Sequence, residues 1–162
     1  MKELQNLVRL DISRNKIKSM ALFTMEEQFP NLKWLNVAAN KFNEFPAIKV
    51  PKLEYLDISF NKLDKINDQW TGHPNLRVLK AVDNKFKNFN LIKNMPALVE
   101  CYLANNQISI FAGWESLPLL KKLHLRKNKI EKVQGGEEAE NLPELPVLEY
   151  LNLRSNKIAS ME

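Results

Sequence analysis

The sequence predicts an α/β solenoid: a right-handed horseshoe whose short strands pair as a parallel concave sheet, with one return segment per coil. Three observations predict it. The pattern L-x-x-L-x-L-x-x-N-x-hydrophobic occurs seven times, beginning at Leu7, Leu32, Leu53, Leu76, Leu98, Leu120 and Leu148. Its asparagines, Asn15, Asn40, Asn61, Asn84, Asn106, Asn128 and Asn156, are spaced by 25, 21, 23, 22, 22 and 28 residues. Proline recurs just ahead of the pattern, at Pro30, Pro51, Pro74, Pro96, Pro118 and Pro146. We read residues 1–162 as a single domain of about seven repeats.

Each position of the pattern has a physical job. In Leu53-Glu-Tyr-Leu56-Asp-Ile58, Leu56 and Ile58 are two apart and share one face of a strand. That face points into the coil. Tyr55 and Asp57 point the other way, to the concave surface. Asn61 is expected to turn its amide onto backbone groups left unpaired by the turn, and the stacked asparagines form a ladder. Leu63 and Ile66 close the core on the return path. Proline's fixed φ and missing donor suit a chain entering a strand, not a strand interior. No coil buries its own apolar face, so only stacking completes the core.

Two intervals depart from the rhythm. Ser19–Gln28 fits a short helix, with Thr24 and Glu27 at capping-box spacing. Gln134–Asn141 is an acidic, glycine-containing insertion that reads as a surface loop. Neither end shows the polar capping repeat that solenoids normally carry, and the last coil stops just after a core position at Met161. The expectation is a longer protein or ends covered by other chains.

The outward strand positions define the expected binding face. One row runs Arg9, Trp34, Tyr55, Val78, Glu100, Lys122, Tyr150. A second runs Asp11, Asn36, Asp57, Lys80, Tyr102, His124, Asn152. A third runs Ser13, Ala38, Ser59, Val82, Ala104, Arg126, Arg154. The candidate partner-binding residues are Trp34, Asn36, Tyr55, Asp57, Phe60, Lys80, Tyr102, Lys122, His124 and Arg126. Trp34, Tyr55, Phe60 and Tyr102 are expected to be partly exposed aromatics, a residue type enriched at interface hot spots. The competing reading packs these rings along the sheet, where they only stiffen it. The C-terminal half of the face is basic, with Lys121, Lys122, His124, Arg126, Lys127 and Arg154, and suits an acidic partner. Lysine follows the ladder asparagine at Lys16, Lys41, Lys62, Lys85, Lys129 and Lys157, with Gln107 the exception. Stacking aligns these into a stripe, most simply a solvated edge.

The segment Leu120-Lys-Lys-Leu123-His-Leu125-Arg-Lys-Asn128-Lys-Ile130-Glu-Lys-Val133 and its six counterparts resemble the 22-residue class of leucine-rich repeats. This class includes regulators of phosphatase-1 and several axonemal proteins. The resemblance covers the whole chain. Within the class, Leu123–Ile130, Leu148–Asn156 and the stretched interval between them are similar to the radial-spoke leucine-rich-repeat proteins of cilia. That resemblance implies a structural subunit of an axonemal assembly. Phosphatase regulation is the rival, and the uneven intervals count against it.

Catalysis is not expected. His73 lies in a Gly72-His73-Pro74 turn, His124 lies on a strand, and Cys101 takes a core leucine position. No Cys–His pair has metal-ligand spacing, and no cofactor or small-molecule substrate is expected. Four glycines supply no phosphate loop, and no apolar run reaches the roughly 18 residues of a membrane span. Nucleic acid is the weaker partner class: the net charge of +5 is modest, and no glycine-aromatic RNA motif is present. One cysteine and no apolar leader at Met1–Leu4 favour an intracellular, cytoplasmic setting, a cilium or flagellum under the resemblance above. The expected role is a protein–protein scaffold within a large assembly.

Overall fold

The structure is a computed structural model that describes residues 4–114, 116–133 and 144–159. The acidic insertion at 134–141 and the position Met161 lie outside these residues. Seven three-residue strands form one parallel sheet: β1 (Arg9–Asp11), β2 (Trp34–Asn36), β4 (Tyr55–Asp57), β6 (Val78–Lys80), β7 (Glu100–Tyr102), β8 (Lys122–His124) and β9 (Tyr150–Asn152). Their spatial order is their chain order, one strand per coil. The register aligns both outer rows residue for residue, as in Trp34 with Tyr55 and Asn36 with Asp57. On the return side β3 (Glu44–Phe45) pairs β5 (Lys65–Ile66).

Entry into each coil is a β-turn. The first leucine donates its N–H to the carbonyl three residues back, across the proline: Leu53 to Val50, Leu76 to His73, Leu98 to Met95. Proline thus sits at the second turn position, where its fixed φ is pre-set. The apolar residue before it, such as Phe29, Val50 or Met95, is buried. His73 holds that same position in its own coil and is buried as well.

The core is one continuous stack. Leu35, Leu56, Leu79, Cys101 and Leu123 fill the middle strand position, with Leu32, Leu53, Leu76, Leu98 and Leu120 behind them. Larger rings fill the wider return side. Phe45 meets Trp70 edge-on at 5.0 Å, and Phe89, Phe111 and Trp114 form a second cluster. Trp70 donates its indole N–H to the Leu91 carbonyl at 3.0 Å, which satisfies the one polar atom it buries.

The asparagine ladder is complete from the second coil on. Asn84 accepts the Leu63 N–H of the preceding coil at 3.0 Å and donates to the Ile58 carbonyl at 3.0 Å. Asn40, Asn61, Asn106, Asn128 and Asn156 each accept from a backbone N–H in the same way. Asn15 bonds only within its own coil, to the Ile12 and Ser13 carbonyls. Each residue just before a ladder asparagine is left-handed, with φ between 54° and 60°: Arg14, Ala39, Phe60, Asp83, Asn105, Lys127 and Ser155. None is glycine, so the turn carries a cost at each coil that the ladder bonds offset.

The helical expectation is corrected. Among the described residues there is no α-helix, only 3-10 turns such as Ala21–Thr24 and Asn90–Ile92. Thr24 ends its turn, donating its hydroxyl to the Ala21 carbonyl at 2.8 Å, and caps nothing. Glu27 is left-handed, with φ 61°, so no helix runs through Ser19–Gln28. The reason lies in packing. Phe23 and Phe29 must both reach the core, where they stack at 5.3 Å, and a short bent return allows this.

Candidate functional site: the concave face

The concave face carries a continuous stack of one side chain per strand. The Arg9 guanidinium lies over the Trp34 ring, 3.8 Å from its centroid. Trp34 stacks on Tyr55 at 4.9 Å with the planes 9° apart. The Lys80 ammonium sits 5.5 Å from both Tyr55 and Tyr102. Tyr102 stacks on His124 at 4.4 Å, and His124 meets Tyr150 at 4.8 Å. The stack changes row twice, at Lys80 and at Tyr150, because the strands place whichever long side chain is available beside the last.

Trp34, Tyr55 and Tyr102 pack along the sheet and are also partly exposed. Their faces are spent on each other, so they do stiffen the sheet. Each such pair contributes about 0.5–1.5 kcal/mol beyond area burial. Yet Trp34, Tyr55 and Tyr102 remain half-buried and Tyr150 is exposed. What they offer a partner is ring edges and polar tips. An aromatic edge is the positive part of its quadrupole, and Arg9 and Lys80 add charge of the same sign.

The acids of this face are already engaged. Asp11 accepts from the hydroxyl and N–H of Ser13 and from Asn36, which hold its carboxyl below the usual range. Asp57 accepts the Ser59 N–H at 2.9 Å, as Asn36 does that of Ala38 at 3.0 Å. Both candidate residues thus close a local turn besides facing solvent. Glu100 accepts from the Tyr102 hydroxyl at 2.7 Å and from Lys122 at 2.9 Å, and its carboxyl is lowered by those bonds. Burial, then the bond to Glu100, raises the Tyr102 phenol to about 12.

Two expectations change. Ser59, placed outward by the strand alternation, is buried. Lys80 lacks the short acceptor that Asp57 supplies in its coil, and the Val82 N–H takes the Ser59 hydroxyl of the previous coil instead, at 3.1 Å. The basic half is also less free than its composition suggests. Lys121 pairs with Glu149 and Lys122 with Glu100, each at 2.9 Å. Burial lowers the His124 pKa, which favours its neutral form. Arg126, Lys127 and Arg154 make no ion pair among the described residues.

Phe60 lies at the strand exit with 57% of its surface exposed, in the left-handed turn position. It is outside the stack. The lysine stripe is regular, because from Lys41 on each lysine N–H bonds the preceding coil, as in Lys62 to Phe42 and Lys85 to Leu63. Its members are exposed. Cys101 is fully buried, which raises its thiol to about 12 and leaves it a core side chain. No group of three metal-ligating side chains occurs among the described residues.

Strand order, asparagine ladder and concave sheet define a leucine-rich-repeat solenoid. The family model "Leucine Rich Repeat" matches residues 52–73. The chain is 32% identical over 154 residues to podocan of Mus musculus, covering 90% of this chain and 25% of podocan. It is 28% identical over 141 residues to keratocan of Danio rerio, covering 82% of this chain and 39% of keratocan. The chain thus spans between a quarter and two fifths of these relatives. Among solved structures, a crystal structure of a TLR13–ssRNA13 complex superposes with a TM-score of 0.61 at 18% identity, over 96% of this chain and 27% of that one. That likeness concerns the fold. Folds of this kind typically serve as non-enzymatic interaction modules with a concave binding surface.

Proposed function

We propose that the chain is a protein-binding scaffold whose concave stack, from Arg9 to Tyr150, takes an extended acidic segment of a partner protein. The stack itself carries this reading. It is a rigid line of ring edges, phenol and indole tips and cations, beside acids already bonded to their neighbours. Side chains locked by stacking lose little freedom on binding, so contact energy is not spent on ordering them.

An axonemal assembly such as the radial spoke is the setting we propose, on the resemblance of Leu123–Ile130 and Leu148–Asn156; a phosphatase regulatory role is the alternative. The test is a pull-down from ciliated-cell extract with the wild-type chain and the Trp34→Ala/Tyr55→Ala variant. Spoke or other axonemal proteins captured by wild type and lost by the variant support both site and setting. Capture of a phosphatase catalytic subunit without them sinks the ciliary setting. Capture that survives the double substitution sinks the concave site.

The exposed lysine stripe favours a second reading, nucleic acid, which the solved TLR13 complex holds as ssRNA13. Contacts to phosphates make binding fall steeply with salt. Binding that ignores salt but needs Trp34 and Tyr55 excludes this reading.

A further inference from the structure

Beside the concave face, at the upstream edge of the sheet, lies a depression of about 370 Å³ lined by Lys33, Lys52, Glu54, Asn75, Arg77 and Ala97. Two rows of register-equivalent positions build it. Lys33, Glu54 and Arg77 each immediately precede a strand, next to Trp34, Tyr55 and Val78 of the concave row. Lys52, Asn75 and Ala97 each follow the turn proline of their coil.

Its charges are unequal. Three cations face one carboxylate, and that carboxylate is already held by Lys33 at 2.8 Å. Lys52 is anchored at 2.7 Å to the Asn31 amide oxygen, a neutral partner that leaves its charge uncompensated. Asn75 is fixed by donating to the Pro51 carbonyl at 2.9 Å. The Arg77 guanidinium makes no hydrogen bond or ion pair among the described residues, although its backbone carbonyl is engaged by Val99 and Glu100. A planar fork of donors is thus left over, beside a pinned lysine, in a concavity with an excess of two positive charges.

We propose that this depression binds a phosphomonoester on the partner segment, with Arg77 and Lys52 as its principal ligands. A phosphorylated side chain carries about −1.5 to −2 charges at neutral pH, which matches the excess, whereas a carboxylate carries half of that. Arginine gives such an oxyanion two parallel bonds. Lys33 is shared between the anion and Glu54. The proposal deepens the concave-face reading, since a segment lying on Trp34 and Tyr55 passes within reach of this edge.

The test is titration of the ¹⁵N-labelled full chain with O-phospho-L-serine, inorganic phosphate, L-serine and L-glutamate at matched ionic strength. Saturable shifts at the amides of Glu54 and Arg77 are expected with phosphoserine and phosphate, and not with serine. Arg77→Gln is expected to weaken both by about tenfold, the size of one lost charge-assisted contact. Lys62→Gln and Lys85→Gln, on the stripe, are expected to change neither. Equal shifts with glutamate, or binding unaltered by Arg77→Gln, would each overturn the proposal. Trp34→Ala/Tyr55→Ala leaves phosphoserine binding intact even where it abolishes partner capture, so the two readings fail separately.

Discussion

His73 shows how a position governs a residue. Its Nε2 lies 2.7 Å from the Val50 carbonyl, and a carbonyl only accepts, so Nε2 carries a proton. Burial lowers its pKa below 6.5. Above pH 6.5 the ring is neutral in both folded and unfolded chains. Below it the unfolded chain takes up a proton that the folded chain refuses, so stability falls with pH until the folded pKa is reached. His73→Leu restores the apolar residue of the other coils and is expected to remove this acid sensitivity, measured as urea midpoints from pH 7.5 to 5.5. The glycine beside it is constrained by space and by φ. Gly72 has φ 92°, and a Cβ there would overlap the Lys93 carbonyl oxygen. Gly72→Ala is expected to cost about 2 kcal/mol or more in chemical denaturation. Phe60 is the opposite case, a bulky residue in the left-handed region with its ring in solvent. Asparagine tolerates that region, so Phe60→Asn is expected to leave stability equal or up to about 1 kcal/mol higher. A loss of partner binding in that variant would assign Phe60 to the contact.

At the scale of the element, the unit is the ladder asparagine with the strand it follows. Asn61 donates to the carbonyls of Val37, Ile58 and Ser59 and accepts the Phe42 N–H, all within the stack. Asn61→Ala strands those groups in two coils at once and is expected to cost about 2–4 kcal/mol, counting ~1–3 kcal/mol per buried unpaired group. Asn15, whose bonds stay inside the first coil at exposed atoms, serves as the control: Asn15→Ala is expected to cost less than about 1 kcal/mol. Equal losses at the two positions, read from thermal or urea unfolding, would mean that the ladder does not couple the coils.

For the whole molecule, stacking makes stability a property of neighbours. Leu56 and Leu79 are fully buried between coils, while Leu151 of β9 is 38% exposed and Leu10 of β1 only partly covered. Hydrogen exchange is expected to be slowest at β4, β6 and β7 and faster at β1 and β9, as in a chain of nearest-neighbour couplings. Uniform protection across all seven strands would instead indicate one all-or-none unit.

The sequence by itself determined the coil: the period, the seven strands and their register, the inward leucines, the asparagine ladder and the burial of Cys101. These follow from a repeat so regular that strand alternation and stacking admit one arrangement. It also placed Trp34, Tyr55, Lys80, Tyr102 and His124 on one face. Only the tertiary structure decided what those side chains do there. The joining of the two rows into one stack depends on which long side chains meet across coils, and no single repeat records that. The same holds for Ser59, buried with its hydroxyl on the Val82 N–H of the next coil, where Lys80 stands in place of a short acceptor, and for the Arg77 depression, whose walls come from four coils. The burial of His73 was legible, since apolar residues fill its position in every other coil; the turn-like tripeptide Gly72-His73-Pro74 masked it. The return after the first coil was not, because Thr24 and Glu27 have helix-cap spacing, and only the need to bury Phe23 and Phe29 together overrides that local preference.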